Sequence, residues 1–227
     1  MTMPTFQRAR SREAKQERID AILKAAYALG AKQGIGRVSL TDIANEVGMH
    51  KSALLRYFET REQIYLILAA MAWREWATDV IARLAADAQS PAKAAAALAT
   101  SLGERPIFCD LVAHCAISLE RHVSLEAICE FKEAALESTY AVAAQLQARL
   151  SITERQAVDV IATATSMAGM FYQFATPAPD VLRMYQNHPR LRHVVGDIAP
   201  RLRAILEGLL CGFERMNDRG DPGHVAD

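Results

Sequence analysis

The chain has an almost purely helical pattern of apolar positions. Apolar residues recur at steps of three and four, as on one face of a helix, and strand-like alternation is nearly absent. Ala, Leu, Glu, Arg and Gln, all good helix formers, dominate. Hydroxyl residues that can cap the start of a helix stand at Ser39, Thr60, Ser90 and Thr153. We therefore predict an all-α fold of about nine or ten helices.

The N-terminal part of the chain has the apolar positions of a small three-helix domain. The first predicted helix spans residues 11–31, and its apolar stripe needs a partner. Suitable residues follow directly: Leu40, Ile43, Val47, Leu54 and Phe58. We predict a domain over residues 12–60 and a second helical domain over residues 61–217, which a long helix beginning at Arg61 joins rigidly to the first.

Residues 39–58, with the sequence SLTDIANEVGMHKSALLRYF, are the most specific motif in the chain. Two short helices meet at a glycine. Ile43 and Val47 face inward on the first helix, and Gly48 can take the left-handed conformation that ends it. The second helix is predicted over residues 51–58. This is the pattern of a helix-turn-helix, in which the N-terminal residues of the second helix reach base edges in the major groove.

The motif, together with the amphipathic helix before it and residues 60–62 after it, resembles the TetR (tetracycline-repressor-like) family of bacterial transcriptional regulators. The Ile-Ala pair at 43–44, the turn glycine and the Tyr-Phe ending at 57–58 stand at the family's spacing, and the resemblance covers about residues 12–68. It implies an N-terminal helix-turn-helix DNA-binding domain and a C-terminal helical domain for ligand binding and dimerisation.

Carried over by position, the resemblance also implies which residues meet DNA. The positions are Ser39, Thr41, His50, Lys51, Ser52, Ala53, Tyr57 and Arg61. Thr41, Lys51 and Ser52 then face bases, with Lys51 bonding guanine O6 or N7, whereas Tyr57 and Arg61 hold the phosphate backbone.

The sequence departs from the family at three positions in and before the second helix. At one of them, His50 replaces a usual capping residue, which either weakens the cap or adds a base or phosphate contact. Leu55 stands where the family usually has a tyrosine, and Ala53 where it usually has a serine or threonine. These two departures affect one phosphate contact and one polar base contact. A helical small-molecule-binding adaptor that has lost specific DNA binding is therefore an alternative hypothesis.

Charge is unevenly distributed along a chain whose formal net charge is zero. Residues 1–61 contain 11 Lys and Arg against 6 Asp and Glu, whereas the rest contains 15 against 20. The positive front favours a polyanionic partner such as double-stranded DNA. Residues 1–11 are predicted to be a flexible basic arm, which either reaches DNA or is merely solvated, and residues 218–227 a disordered tail.

For the C-terminal domain, the resemblance implies a homodimer held by the last two long helices. The predicted interface residues are Ile161, Ala164, Ala168, Leu202, Ile205, Leu206, Leu209 and Phe213. They form broad apolar stripes, and Gly208 and Gly212 on the last helix would permit close backbone approach. Because core and interface stripes look alike in sequence, the alternative that these residues complete the core of one subunit stays open.

Aromatic and sulfur-containing residues predict a pocket for an apolar or aromatic small molecule. The candidates are Trp73, Trp76, Phe108, His114, Met167, Met170, Phe171 and Phe174. Each of them can instead be ordinary core packing. His114 either orients a polar ligand group or is a core histidine whose hydrogen bonds are made within the protein.

Sequence motifs of catalytic, metal or cofactor sites are missing. Cys109 and Cys115 are six residues apart, so on one helix they point about 120° from each other. An enzyme that uses His114, Glu120 or His122 as acid or base is the least supported alternative, since there is no nucleophile elbow, metal triad or phosphate-binding glycine loop. We predict no cofactor, no metal and no catalytic residue.

The apolar segments do not predict a membrane protein. Residues 161–179, the longest uncharged stretch, are interrupted by hydroxyl residues and two prolines, and residues 1–10 do not have the apolar run of a signal peptide. We predict a cytoplasmic regulator, a repressor that a small apolar or aromatic ligand releases from a near-palindromic operator.

Overall fold

Helices make up the regular structure of the computed structural model, which describes residues 5–188, 190–191 and 197–219. These ranges hold ten α-helices and no strand. The helices are α1 (Thr5–Gln33), α2 (Leu40–Glu46), α3 (Lys51–Leu54), α4 (Arg61–Asp87), α5 (Pro91–Gly103), α6 (Pro106–His114), α7 (Leu125–Gln147), α8 (Glu154–Ala175), α9 (Pro179–Asn187) and α10 (Ile198–Asp218). A 3₁₀ turn, Ile35–Arg37, follows α1, and a π-helical turn, Cys115–Leu119, continues α6. The prediction of an all-α fold is confirmed.

The first three helices pack around a small core, as predicted. Ile22 of α1, Ile43 of α2 and Leu54 of α3 are completely buried, and Phe58 is 3% exposed. Other predicted partners of α1 are partly buried against this core. The apolar stripe of α1 therefore finds its partners within the next 30 residues, as the sequence pattern required.

The boundaries of two elements differ from prediction. The first helix begins at Thr5, so residues 5–11 are helical and the prediction of a flexible arm is wrong for them; residues 1–4 lie outside the described ranges. No glycine or proline separates these residues from the predicted start, so the helix continues backward through them. The helix α3 ends at Leu54, and residues 55–57 form a turn that brings Phe58 into the core, whereas a helix was predicted over residues 51–58.

The predicted caps are present in the structure. The Ser39 hydroxyl accepts a hydrogen bond from the Asp42 N–H, and the Asp42 carboxylate accepts one from the Ser39 N–H. Hydrogen bonds from the side chain and backbone of Ser39 lower the pKa of Asp42. Thr60, Ser90 and Thr153 each accept from the backbone N–H three residues later. These caps fix where α2, α4, α5 and α8 begin.

The C-terminal domain is built mainly from three pairs of packed helices. The helix α4 packs on α7, α5 on α10, and α6 on α8. Helices α8 and α10 are antiparallel: Gln156 near the start of α8 donates to Asn217 near the end of α10 at 3.2 Å, and Arg201 near the start of α10 lies 4.6 Å from the ring centroid of Phe171. Both domains share one continuous buried cluster.

The last helix ends close to the predicted limit of the C-terminal domain. The last helix runs to Asp218, one residue past the predicted limit of the domain, and residues 220–227 of the predicted tail lie outside the described ranges.

None of the helices in the described part of the chain is sufficiently long and apolar to span a membrane.

Candidate DNA-binding surface and effector site

The helix-turn-helix mounts a short polar helix on an apolar base. Gly48 in the turn has a φ of 65°, which glycine adopts without the penalty paid by other residues. Leu54 is completely buried, and the other side of the first turn of α3 carries His50, Lys51 and Ser52, all exposed. A polar, exposed first turn is what a helix entering the major groove requires.

Four further residues predicted to contact DNA differ in how free their side chains are. Thr41 is exposed in the first turn of α2, and Ala53 and Tyr57 are half-buried. Ser39 is exposed, but its hydroxyl donates to the Asp42 carboxylate at 2.7 Å and accepts from the Asp42 N–H at 3.2 Å. The Ser39 hydroxyl therefore uses its hydrogen bonds to cap α2 and differs in this from the exposed Thr41.

Arg61 points into the protein instead of toward solvent. Its guanidinium donates to the Ile35 carbonyl at 2.8 Å and to the Glu62 carboxylate at 2.8 Å, and it lies 5.4 Å from the centroid of the Tyr65 ring. The prediction that Arg61 holds the phosphate backbone is therefore corrected: the guanidinium is engaged in a contact between the two domains.

Both backbone groups of Ile35 are held by charged side chains of the C-terminal domain. Its N–H donates to the Asp110 carboxylate at 2.8 Å, and its carbonyl accepts from Arg61 at 2.8 Å. Asp110, which is 3% exposed, also accepts from Gln173 at 2.8 Å. This Ile35 clamp, made of Asp110 and Arg61, joins the residue to α4, α6 and, through Gln173, to α8. Ile35 lies four residues before the helix-turn-helix, so the clamp fixes where that motif starts.

His114 completes the contact between the domains. Its Nδ1 lies 3.2 Å from the Asp110 carboxylate, and a Cβ atom at Gly36 would lie 3.1 Å from its Nε2. The hydrogen bond to Asp110 raises the pKa of His114. Burial raises the pKa of Asp110, but the hydrogen bonds from His114, Ile35 and Gln173 outweigh it and hold that pKa below its usual value. His114 thus lies at the domain contact, where its partners come from the protein itself.

Three of the predicted pocket residues form an aromatic cluster. The ring centroids of Trp73 and Trp76 are 5.5 Å apart, those of Trp73 and Phe108 5.3 Å, and those of Trp76 and Phe108 5.6 Å. The Trp76 indole donates to Ser101 at 3.1 Å, whereas the Trp73 indole N–H donates to no described residue. Trp76 is completely buried and therefore belongs to the core.

A cavity of about 250 Å³, the central cavity, lies among α4, α6, α7 and α8. Its lining consists of Trp73, Val112, Cys115, Ala116, Glu120, Phe131, Lys132, Ala135, Thr139, Ala162, Thr165 and Ser166. A second cavity of about 310 Å³ lies between α1 and the C-terminal domain, and Phe108 is among its lining residues. The aromatic cluster therefore contributes one ring to each cavity. Phe131 and Lys132 were not among the predicted pocket residues, because a lysine beside an aromatic residue on α7 has no distinctive sequence pattern.

The other predicted pocket residues line neither of these cavities. Met170 and Phe174 are each 49% exposed on the outer face of α8, and Met167 is half-buried. Phe171 is buried beneath Arg201. The aromatic and methionine residues of α8 were predicted to face a pocket, but Met170 and Phe174 point outward. The opposite face of α8 packs closely on α6, where a Cβ atom at Gly169 would lie 3.2 Å from the backbone of Cys109 and Ala113.

The predicted dimer-interface residues divide into two groups. Within a single subunit, five of them are completely buried: Ile161, Ala164, Ala168, Leu202 and Leu206. For these five the prediction is wrong, and the alternative of completing the subunit core holds. Ile205, Leu209 and Phe213 are partly exposed along one face of α10. A Cβ atom at Gly208 or Gly212 would meet open space, so this face of α10 is uncovered in the single chain.

Within the described ranges, no group of three His, Cys, Asp or Glu side chains is placed to hold a metal ion. The thiol of Cys109 instead donates to the Leu102 carbonyl at 3.4 Å, and burial raises the pKa of both Cys109 and Cys115 to about 12. These thiols are therefore uncharged members of the core.

Comparisons with solved structures identify the fold. The chain is similar to FadR from Bacillus subtilis in complex with stearoyl-CoA, at 16% identity, 85% coverage of this chain, 97% of that chain and a TM-score of 0.54. It is similar to RolR in complex with resorcinol at 15% identity, 86% and 95% coverage and a TM-score of 0.53. The fatty acid degradation regulator FadR from Bacillus halodurans matches at 13% identity, 84% and 94% coverage and a TM-score of 0.52. No curated protein sequence matches the chain.

Two family models match the chain at the sequence level. One, described as "Tetracyclin repressor-like, C-terminal domain", matches residues 70–217, and the other, "Bacterial regulatory proteins, tetR family", matches residues 22–68. The first covers every residue that lines the central cavity, and the second covers the helix-turn-helix. The chain therefore belongs to the TetR family of transcriptional regulators, with a DNA-binding N-terminal domain and a ligand-binding C-terminal domain.

Proposed function

We propose that the protein is a homodimeric repressor that binds a near-palindromic operator through α3 and releases it when a small apolar or aromatic molecule occupies the central cavity. One observation carries the DNA-binding half: the exposed polar first turn of α3 stands on the completely buried Leu54. A rigid apolar base and a free polar turn allow base edges to be read without disturbing the fold.

Lys51 and Ser52 are the proposed base-reading residues of α3, with Thr41 beside them on α2. The ammonium of Lys51 can donate to guanine O6 or N7, the commonest kind of base-specific contact. His50 and Tyr57 are proposed to contact bases or phosphates near the ends of this surface. Leu55 is 45% exposed and offers only apolar contact, for example to a thymine methyl group.

The proposed dimer interface is the face of α8 and α10 that remains open in the single chain. It combines the partly exposed Ile205, Leu209 and Phe213 of α10 with the exposed Met170 and Phe174 of α8. Because α8 and α10 are antiparallel neighbours, two copies of this face would form a four-helix interface with twofold symmetry. Such a dimer presents two copies of α3 to successive turns of DNA.

The effector signal is proposed to travel through α6, because α6 faces the central cavity on one side and the DNA-binding domain on the other. Val112 and Ala116 line the cavity, whereas Asp110 and His114 contact Ile35 and Gly36. Residues two apart on an α-helix point about 200° from each other, so Asp110 and Val112 lie on opposite faces of α6. An occupant that shifts α6 would therefore move the Ile35 clamp and the reading helix.

The π-helical turn favours such a shift at the cavity end of α6. Cys115–Leu119 forms five π-helical residues that join α6 to the turn before α7. Single π-helical turns are rare, and where they interrupt or end an α-helix they often lie at functional sites. Cys115 and Ala116 at its start line the central cavity, so an occupant would contact the least regular part of the helix.

The DNA-binding half of the proposal is tested by selecting bound sequences from a random duplex pool with the purified protein at a stated salt concentration. We expect one near-palindrome to be enriched. Lys51→Ala should then weaken binding to that sequence by about 1–3 kcal/mol and relax the preference at one base pair in each half-site. Lys93→Ala, which removes the same charge from the C-terminal domain, is the matched control and should bind like the unaltered protein.

Two results would contradict this half of the proposal. If no motif is enriched and DNA is held only at low salt, the protein does not act through a specific operator. If a motif is enriched but Lys51→Ala binds it like the unaltered protein, α3 is not the reading element. In the first case the adaptor hypothesis gains support, and Leu55 in place of a phosphate-binding tyrosine gives it a physical basis.

A further inference from the structure

One ion pair stands among the lining residues of the central cavity. Glu120 Oε1 lies 2.7 Å from Lys132 Nζ, and both residues line the cavity. The same Nζ lies 5.5 Å from the ring centroid of Phe131, which also lines it. A carboxylate and an aromatic face are the two protein groups that best stabilise an ammonium. Lys132 thus places its own ammonium in a position built for a cation.

The two partners of this ion pair differ in how firmly they are held. The Lys132 side chain is 55% exposed, and it also borders a shallow cavity on the outer surface of α7. The Glu120 side chain is only 20% exposed, and its backbone N–H donates to the Cys115 carbonyl at the end of the π-helical turn. A long, exposed lysine can swing into water with its charge hydrated. Glu120, in contrast, would be left as a partly buried carboxylate without a counter-charge.

The remaining lining is mainly apolar and opens to the surface at Ala116, Ala162 and Ser166, which are exposed. Trp73 and Phe131 supply aromatic surface. The hydroxyls of Thr139 and Thr165 donate to carbonyls of their own helices at 2.8 and 2.9 Å. When Lys132 turns away, Glu120 is the one charged group left in the lining. The cavity then has an apolar body and a single negative end.

We propose that the effector is an organic monocation, with an aromatic or aliphatic body in the central cavity and an ammonium group that replaces Lys132 on Glu120. The inference rests on the proposed function and names the ligand class of that site. The exchange conserves charge, since one ammonium enters as another leaves, so Glu120 is never left unpaired. The entering ammonium also takes over the position beside the Phe131 ring that the Lys132 ammonium occupies.

Three probes with one ring system and different charge test this proposal: 1-naphthylmethylammonium, 1-naphthalenemethanol and 1-naphthoate. Their binding to the full-length protein is measured by titration calorimetry near pH 7. We expect the cation to bind about tenfold more tightly than the neutral alcohol, and the anion to bind most weakly. In Glu120→Gln, the cation should bind no more tightly than the neutral alcohol.

Lys132→Gln distinguishes the exchange from a general preference for positive charge. Removing the internal competitor should raise the affinity for the cation several-fold and leave the affinity for the alcohol unchanged. Glu133→Gln is the matched control, because Glu133 follows Lys132 directly but does not line the central cavity; it borders the outer cavity on α7 and a groove between α4 and α7. It should change none of the three affinities. If Glu120→Gln fails to fold, the Lys132→Gln titration still decides the question.

Two results would overturn the proposal in different ways. If the alcohol binds as tightly as the cation, or if the anion binds best and Lys132→Gln weakens it, the monocation assignment fails while the cavity remains an effector site. If none of the three probes binds at millimolar concentration, the central cavity itself fails as the effector site. The DNA selection with Lys51→Ala is independent of both results.

Discussion

Replacing Asp110 by asparagine tests the Ile35 clamp with a change of a few atoms. One carboxylate oxygen accepts the Ile35 N–H at 2.8 Å, and the other accepts Gln173 at 2.8 Å. Asparagine retains one acceptor oxygen of the same shape, which can keep Gln173. In one orientation its amide nitrogen faces the Ile35 N–H, and in the flipped orientation it faces His114 Nδ1, so one buried partner of the carboxylate loses its acceptor in either case.

The size of the effect follows from the burial of the two groups. Ile35 is completely buried and Asp110 is 3% exposed, so water cannot replace the lost partner. A hydrogen bond to a charged acceptor contributes about 1.5–3 kcal/mol, and an unsatisfied buried N–H costs a similar amount. We therefore expect the free energy of unfolding of Asp110→Asn to fall by about 2 kcal/mol. For a chain of this length that corresponds to a fall in Tm of about 4–8 °C.

The assay is thermal unfolding of both proteins at one concentration, because dimerisation makes Tm concentration-dependent. Asp87→Asn is the control: Asp87 is an exposed carboxylate paired with Lys93, and its loss should cost less than about 1 kcal/mol. Operator binding is measured in parallel. With the clamp broken we expect weaker binding with unchanged base preference, because α3 itself is untouched. A Tm within about 1 °C of the unaltered protein would refute the clamp as a stabilising contact.

Two further predictions concern the same domain contact and the dimer. His114 has a raised pKa, so its stabilisation is complete below its ordinary value of about 6.5 and is lost as the pH rises through its raised folded value. His114→Gln should therefore lower the Tm more near about pH 5.5 than near about pH 9, and an equal loss at both would exclude an ionised His114–Asp110 pair. Leu209→Asp should convert the dimer to a monomer in sedimentation at micromolar concentration, because a charge would be buried in the interface. Leu125→Asp, at a 79% exposed position on α7, should leave the dimer intact. If Leu209→Asp is still a dimer, the interface does not include this face of α10.

Local physical rules account for the parts of the fold that sequence analysis predicted correctly. The cap at Ser39, the left-handed glycine at Gly48 and the buried pair Leu54 and Phe58 each depend on residues within a few positions of one another. Such features leave a pattern of spacing in the sequence. The helix-turn-helix could therefore be located to the residue, and only the end of α3 was placed too late.

Contacts between distant residues leave no such pattern, and there the predictions failed. Arg61 occupies a position at which the family resemblance implied a phosphate contact, but the carbonyl of Ile35 lies close enough to take its guanidinium. Asp110 was not singled out at all, because its partners are 75 and 63 residues away in sequence. A charged residue within an apolar helix is a weak signal until its partners are known.

The stripes on α8 and α10 show why core and interface could not be separated from sequence. On α10, Leu202 and Leu206 are completely buried, whereas Ile205 and Leu209, each three residues farther along, are partly exposed. Three residues turn a helix by 300°, so the two pairs lie 60° apart on one broad stripe. When an apolar stripe is too wide for the helices of its own subunit to cover, one edge of it contacts water or a partner subunit. On α10 that edge carries two glycines with open space above them, and the backbone of a second subunit can approach most closely there.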